Sequence, residues 1–394
     1  MHAVICGAGI AGLATAISLQ RHGWSVTLVE HAVSLRDGGY MIDFFGPGYD
    51  AAERIGILDD LRERAHEVDR VEWVDEHGRA HARLRYDRMR DALDGRLFSL
   101  LRGDVERSLR EALPADVELR FGTTVTGVTQ HDGGVTVELG DERVEADLLV
   151  GADGIHSGVR REVFGPEERF LRPLGLHTAA WFFRSDEVHD AIADRFVMMS
   201  VPGRMAGVYE VEPGLFATFF VFEEQSTAMP GDPLAALRER FGDLGGFVPA
   251  MLAADPVDDV YYDVVAQVEA PAWHDGRVVL IGDSAYAVSL VAGQGASLAL
   301  SGGVALGEAL DAESLAGDPA GIEAALGAFE ARVRPSVAEK QAAGRKTAKW
   351  FVPATPLQIA LRNLAMRVVD LPGMGRLVSP AIGVDAKGFA PATR

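Results

Sequence analysis

The stretch Val4-Ile5-Cys6-Gly7-Ala8-Gly9-Ile10-Ala11-Gly12 constrains the fold of this chain more than any other. Its glycines keep G-x-G-x-x-G spacing. An apolar run precedes them, and Ile10, Leu13, Ala14 and Ile17 follow at helical spacing. The pattern predicts a buried strand, a tight turn and a helix. In such a unit Gly7 permits the turn and Gly9 lets backbone approach a pyrophosphate. Gly12 lets the helix pack close to the strand. The helix start then offers unsatisfied N–H groups to a phosphate. A second apolar run, Ser25 to Val29, ends in Glu30, 18 residues after Gly12. A carboxylate there can accept from a ribose hydroxyl. Together these features imply a dinucleotide site.

At 394 residues the chain is too long for one ordinary core, so more than one domain is expected. Its 48% hydrophobic and 24% charged content is that of a folded soluble protein. No apolar run approaches the roughly 18 residues a membrane span needs. The first strand starts at residue 3 with no basic segment before it, so no signal peptide is expected. Cys6 is the sole cysteine, which rules out an intrachain disulfide and suits a reducing cytoplasm. It is read as a small core residue. The net charge of −20 argues against a nucleic-acid partner. Residues 331–394 run the other way, with eleven Lys/Arg against Glu339, Asp370 and Asp385. A basic helical tail packing on an acidic body is expected, with membrane-surface binding as the alternative.

Along the chain, Tyr40–Phe45 reads as a strand and Asp50–Leu61 as a helix broken near Gly56. The segments 71–74 and 82–85 flank Glu76-His77-Gly78 as a hairpin. His77 and His81 there are read as facing solvent, and no metal site is expected. Asp104–Leu113 is expected to be a helix capped by Asp104. Strands follow at Val117–Phe121, Val125–His131, Val135–Leu139 and Arg143–Val150. The last ends in Gly151-Ala152-Asp153-Gly154, with Val159-Arg160-Arg161 opening a helix. Thr178–Arg184, Phe196–Val201, Met205–Val211 and Leu215–Phe222 predict an antiparallel sheet. A short helix at Pro233–Phe241 and a strand at Val260–Val268 complete it. Val278–Ile281 is again a buried strand, ending in Gly282-Asp283, and Gly293-Gln294-Gly295 opens an apolar helix, Ala296–Leu310. Two terminal helices are expected. Phe329–Phe351 should kink at Pro335, and Leu357–Val369 carries an apolar stripe at Leu357, Leu361, Leu364 and Val368.

The motifs at Gly7–Gly12 with Glu30, at Gly151-Ala152-Asp153-Gly154 with Ser157 and Arg160, and at Gly282-Asp283 with Gly293-Gln294-Gly295 resemble, in this order and spacing, those of a known family. It is the FAD-dependent single-component aromatic hydroxylases of the p-hydroxybenzoate hydroxylase fold. Gly38-Gly39-Tyr40-Met41-Ile42-Asp43-Phe44 further resembles the tetracycline-inactivating branch. The resemblance implies an α/β fold: a Rossmann-like FAD-binding domain, an inserted antiparallel substrate domain and C-terminal helices. The FAD-binding domain is then expected at 1–69, 98–173 and 269–328. The substrate domain would take a hairpin at 70–97 and the sheet at 174–268, with helices at 329–394.

By the same resemblance, Gly7, Gly9, Ile10, Ala11 and Gly12 would form the pyrophosphate loop, and Glu30 would bind the adenosine ribose. Arg36 and Arg102 would lie along adenosine and pyrophosphate, with Asp153 near FAD and NAD(P)H. Gly282 and Asp283 would hold the ribityl or pyrophosphate portion. Gly293, Gly295 and Ala296 would bring N–H groups to the flavin. Two positions depart from the family pattern: Tyr286 replaces a usual His and Leu290 a usual Pro. Both bear on flavin mobility. No second G-x-G-x-x-G follows residue 150, so NADPH or NADH would bind transiently. FAD would be noncovalent, since residues 282–297 hold no Cys or His. No Trp-x-Trp pair occurs, which argues against the tryptophan halogenases.

The implied reaction is NAD(P)H-driven hydroxylation or epoxidation by O2, through a flavin hydroperoxide. The substrate would be an aromatic or polyketide-like small molecule and the protein a monomer or homodimer. The expected pocket is apolar, built from Phe45, Met198, Phe220, Phe222 and Leu290, with Arg184, Tyr209 and Tyr286 as polar candidates. No acid–base catalyst is assigned. A reductase or oxidase on the same fold, or a protein that holds FAD without turnover, are the alternatives.

Overall fold

The computed structural model describes residues 1–34, 40–66, 68–192, 195–315 and 321–369. Its centre is a six-stranded sheet in the order His274–Asp275, Val278–Leu280, Leu148–Gly151, His2–Cys6, Ser25–Val29, Glu118–Arg120. All neighbours pair parallel except the edge hairpin 274–280. The central strands read as unbroken apolar runs because both faces are covered. Helix Ile10–Arg21 follows the first strand, and helix Gly295–Ala309 packs directly on it. Their close approach explains the small residues of both. A Cβ on Gly307 would lie 2.2 Å from Ser18 Oγ, and one on Gly303 would lie 2.8 Å from the Thr15 nitrogen.

The segment between Glu118–Arg120 and Leu148–Gly151 forms a separate three-stranded meander, Gly127–His131, Gly134–Leu139 and Glu142–Ala146. An eight-stranded sheet forms the second layer. Its path is Tyr261–Val268, Leu171–Ala180, Leu215–Glu223, Arg204–Glu212, Phe196–Val201, Arg70–Val74, Ala80–Arg85, with Phe182–Arg184 also pairing to 215–223. The early hairpin 70–85 thus extends the later sheet, through parallel pairing of Arg70–Val74 with Phe196–Val201.

Several expected elements shift. Thr178–Arg184 is two strands, separated at Trp181, and the first begins at Leu171 with an irregularity between Pro173 and Leu176. Proline lacks the ladder N–H there. Asp104 lies inside the first turn of Arg102–Glu111 and does not cap it. Asp186–Ile192 and Val248–Ala253 are additional short helices. The first terminal helix spans Gly321–Phe351, with Pro335 inside it. Gly56, at φ +77°, ends Pro47–Ile55 before Leu58–Glu63, as the break required. The last helix, Pro356–Val369, turns its apolar stripe outward: Leu357 is 69% exposed and Leu364 57%. It buries Arg362 and Val369 instead and packs Met366 on the apolar cluster around Trp73.

Candidate functional site

The glycine turn is built as its spacing requires. Gly7 adopts φ +104°, and a Cβ there would lie 2.5 Å from the Ala152 carbonyl oxygen. A Cβ on Gly12 would lie 1.8 Å from the Gly7 oxygen. Gly9 is different: the nearest atom to its Cβ would be Glu106 Oε1 at 3.6 Å, an ordinary contact with a side-chain end, and Gly9 lines the cleft. Glu30 reaches this loop from the end of the neighbouring strand. Its Oε2 accepts from Ala8 N–H (2.8 Å) and its Oε1 from Ala32 N–H (2.9 Å).

The two other motifs are tied to each other. Asp153 accepts from the Ser157 hydroxyl, from Val159 N–H (3.0 Å) and from the Ser284 hydroxyl (3.2 Å). Ser284 in turn accepts from Gly154 N–H (3.0 Å). Arg160, wholly buried, donates to the carbonyls of Ser284 (2.8 Å) and Ile155 (2.6 Å). Asp153 therefore works largely as the brace joining 153–160 to 282–286. Two chain segments 130 residues apart hold one wall.

These pieces line a cleft of about 650 Å³. One end has Gly7, Gly9, Ile10, Ala11, Glu30, Arg102, Glu106, Asp153 and Asp283; Leu290, Gly293, Gly295 and Ala296 continue the wall. The other reaches the large sheet at Thr178, Tyr261, Asp263 and Val265. Asp283 is exposed, but only into the cleft. Enclosure there raises its carboxyl above the ordinary value, and nearby Arg102 partly offsets this. Burial pulls the Arg102 guanidinium down, but Glu106, with Tyr40 and Asp283, more than compensates and leaves it raised. Arg102 Nη2 donates to Glu106 Oε1 at 2.7 Å. At the cleft mouth His156 lies 3.1 Å from Glu167 and 3.8 Å from Asp263. Contact with these two carboxylates pushes its imidazole up to about 9.

The expected substrate residues do not gather in this way. Phe220 and Phe222 point to the far face of the large sheet, into the core under Pro233–Phe241, where they pack on Phe241. Strand alternation requires it, since their neighbours Phe219 and Val221 take the opposite face with Val265. Met198 and Phe45 are buried in the apolar cluster on that opposite face, behind the cleft lining. Tyr209 is buried against Phe196 and accepts from Met41 N–H (2.5 Å). Arg184 is exposed at a strand end. Tyr286 is 2% exposed, packed on Trp273 and against Gly302, outside the cleft lining. Leu290 alone of this set lines the cleft, and Arg36 lies outside the described residues.

The structure brings further residues to the cleft that the sequence did not mark as site residues. Tyr40 and Tyr261 approach at 6.1 Å between ring centroids across the cleft. Thr178 presents a buried hydroxyl without a partner among the described residues, and Ser289 another, at φ +82°. Thr178, Tyr261 and Ser289 carry no local sequence signal. Tyr40 belongs to the Gly-Gly-Tyr stretch, but the others are set by strand register and by the loop.

The cleft residues fit FAD. A Cβ on Gly293 or Gly295 would meet nothing within 4 Å, so both glycines open onto room that a ligand can fill. Glu30 offers a ribose acceptor, Arg102 a cation, and Gly295 opens a helix whose first N–H groups are unpaired within it. The family model described as "FAD binding domain" matches residues 1–339. An uncharacterized protein of Mycobacterium tuberculosis is 36% identical, over 78% of this chain and 84% of its own. A flavin-dependent monooxygenase of Legionella longbeachae is 29% identical, over 76% and 77%. The crystal structure of tetracycline destructase Tet(55) superposes with a TM-score of 0.81 at 26% identity, covering 99% of this chain and 98% of that one. The chain belongs to the FAD-binding-domain family and is an FAD-dependent monooxygenase of the p-hydroxybenzoate hydroxylase fold.

Proposed function

We propose that this enzyme uses NAD(P)H and O2 to hydroxylate or epoxidise an electron-rich aromatic or polycyclic small molecule. The observation that carries this is the continuity of the cleft, from the dinucleotide loop at Gly7–Gly12 to Thr178, Tyr261 and Val265 of the large sheet. Glu30 would hold the adenosine ribose, and Arg102 and Asp283 the pyrophosphate and ribityl portions. Bound there, FAD supplies the redox chemistry, accepting reducing equivalents and activating O2. The protein contributes position and dryness. Ile42, Val265 and Leu290 exclude water from the inner wall. The N-terminus of Gly295–Ala309 favours negative charge beside it. Tyr40 and Tyr261 offer aromatic faces for a planar substrate. The likeness to a tetracycline destructase supports a polycyclic phenol as the class to try first. A single G-x-G-x-x-G unit supports a nicotinamide cofactor that visits and leaves.

The test is a screen of NADH and NADPH oxidation against phenols and polycyclic aromatics, with mass detection of products carrying one added oxygen. Substrate-stimulated oxidation with such a product is expected. NAD(P)H oxidation that yields a reduced product would favour a reductase, and O2 consumption that yields a dehydrogenated product without NAD(P)H would favour an oxidase.

A further inference from the structure

The cleft uses neither arginine of the last helix that lines a second cavity. Arg362 is 4% exposed. Its Nη1 donates to the Ser200 hydroxyl (3.1 Å) and the Phe351 carbonyl (3.4 Å). Nη2 and Nε both donate to Asn363 Oδ1, at 3.1 and 3.4 Å. Its guanidinium carbon lies 5.5 Å from the centre of the Trp73 ring. Every one of these partners is neutral. No carboxylate pairs with Arg362 among the described residues, and one Nη2 N–H has no acceptor there. Burial holds its pKa at about 10, so it stays charged at neutral pH. A buried cation without an anion is costly, and an apolar side chain of similar volume would avoid that cost.

This guanidinium borders a cavity of about 560 Å³, within the range of small-ligand sites. Trp73, Leu244, Ile359 and Leu364 supply apolar wall. Arg367, five residues on, lines it too, with its Nε donating to the His81 carbonyl (2.7 Å) and no carboxylate partner among the described residues. The acids in the lining have other partners: Asp75 accepts from His77 and Arg79 N–H and lies 3.3 Å from His81, and Glu76 lies 3.7 Å from His77. No residue is shared with the FAD cleft.

We propose that this cavity is a second ligand site, separate from the FAD cleft, for a small aromatic carboxylate. The anion pairs with Arg362, assisted by Arg367, and the ring lies against Trp73 and the apolar wall. The planar fork of the guanidinium matches a carboxylate, and the apolar wall matches a ring and disfavours a bare phosphate.

The probe is 2-naphthoate, titrated calorimetrically into the FAD-loaded protein while the visible flavin spectrum is followed. Binding is expected to leave the flavin bands unchanged, because the ligand sits outside the cleft. Arg362→Met should weaken it by about tenfold or more, as should the uncharged analogue 2-naphthylmethanol with wild type. Arg362→Lys should retain part of the affinity. Arg362→Met should melt no lower than wild type, since it removes an uncompensated buried charge. If that variant does not fold, Trp73→Leu and the uncharged analogue carry the same test. No binding of 2-naphthoate, equal affinity for the carboxylate and the alcohol, or binding that perturbs the flavin and survives Arg362→Met would overturn the proposal.

Discussion

Two glycines of the cleft are needed for different physical reasons, and a pair of substitutions separates them. A Cβ on Gly12 would stand 1.8 Å from the Gly7 oxygen and 3.0 Å from its carbonyl carbon. These are backbone atoms that no rotamer change can clear. Helix Ile10–Arg21 would have to move off the first strand by roughly 1 Å in a close-packed region. Such overpacking costs about 1–3 kcal/mol. The better helix propensity of Ala returns only about 1 kcal/mol. Gly12→Ala should therefore lose up to about 2 kcal/mol of stability even without cofactor. Gly295 presents the opposite case. A Cβ there meets nothing within 4 Å, and it is the first residue of Gly295–Ala309. Gly295→Ala should leave the apoprotein as stable or slightly more so. Its methyl group would intrude on the room that FAD needs, and affinity should fall by about tenfold, or about 1.4 kcal/mol. Thermal melting of the apoproteins and a fluorescence titration with FAD read both quantities. Lower apo melting and weaker binding are expected for Gly12→Ala, and weaker binding alone for Gly295→Ala. Undiminished FAD affinity in Gly295→Ala, or unchanged apo melting in Gly12→Ala, would refute the reasoning.

Asp283→Ala should weaken FAD by ten- to a hundredfold, the loss of about 1.5–3 kcal/mol for a charged hydrogen-bonding partner, whereas Cys6→Ala should bind normally; equal affinities in a titration would contradict the placement of Asp283. Burial raises the pKa of the Cys6 thiol, so it should resist thiol reagents in the folded state, which a labelling time course checks. His156 titrates at about 9 in the folded protein against 6.5 in the open chain, so its stabilising contribution is full below pH 6.5 and is lost as pH rises through 9. The melting temperature of His156→Gln should accordingly fall below that of wild type at pH 6 and converge with it near pH 10; a gap that grows with pH would invert the sign. Leu290→Pro should reduce NAD(P)H oxidation and peroxide release in the absence of substrate, because Leu290 lines the cleft beside Ser289 and proline would stiffen that turn. Stopped-flow reduction with and without substrate measures it, and an unchanged leak would remove the loop from the account.

What was readable in the sequence is what local chemistry dictates. Gly7, Gly9 and Gly12 with Glu30 could be placed because a tight turn, a close helix and a carboxylate at a strand end each demand a residue type at a fixed spacing. The Gly-Asp loop at Asp283 followed for the same reason. The substrate side was not readable. The alternation of Leu215–Glu223 is plain, but nothing in it says which face meets the cleft, and Phe220 and Phe222 turned out to serve the far core. Thr178 and Tyr261 reach the cleft through the pairing Thr178↔Asp263 and Ala180↔Tyr261, a nonlocal register. The family resemblance sets Tyr286 beside the flavin loop, yet the short helix Asp283–Tyr286 turns its ring back onto Trp273. The last helix shows the limit of periodicity most clearly. Its apolar stripe faces outward, and the buried positions are Arg362 and Val369. The stripe was visible, but the face by which the helix packs was not.

The central claim is that oxygen from O2 enters the product at this cleft. Its direct test is a turnover of the FAD-loaded enzyme with NAD(P)H and a responsive polycyclic phenol under isotope-labelled dioxygen. A product carrying one labelled oxygen atom is predicted for the FAD-loaded wild type, and none for the FAD-free apoprotein. A product without label, formed equally well in the absence of dioxygen, would contradict it.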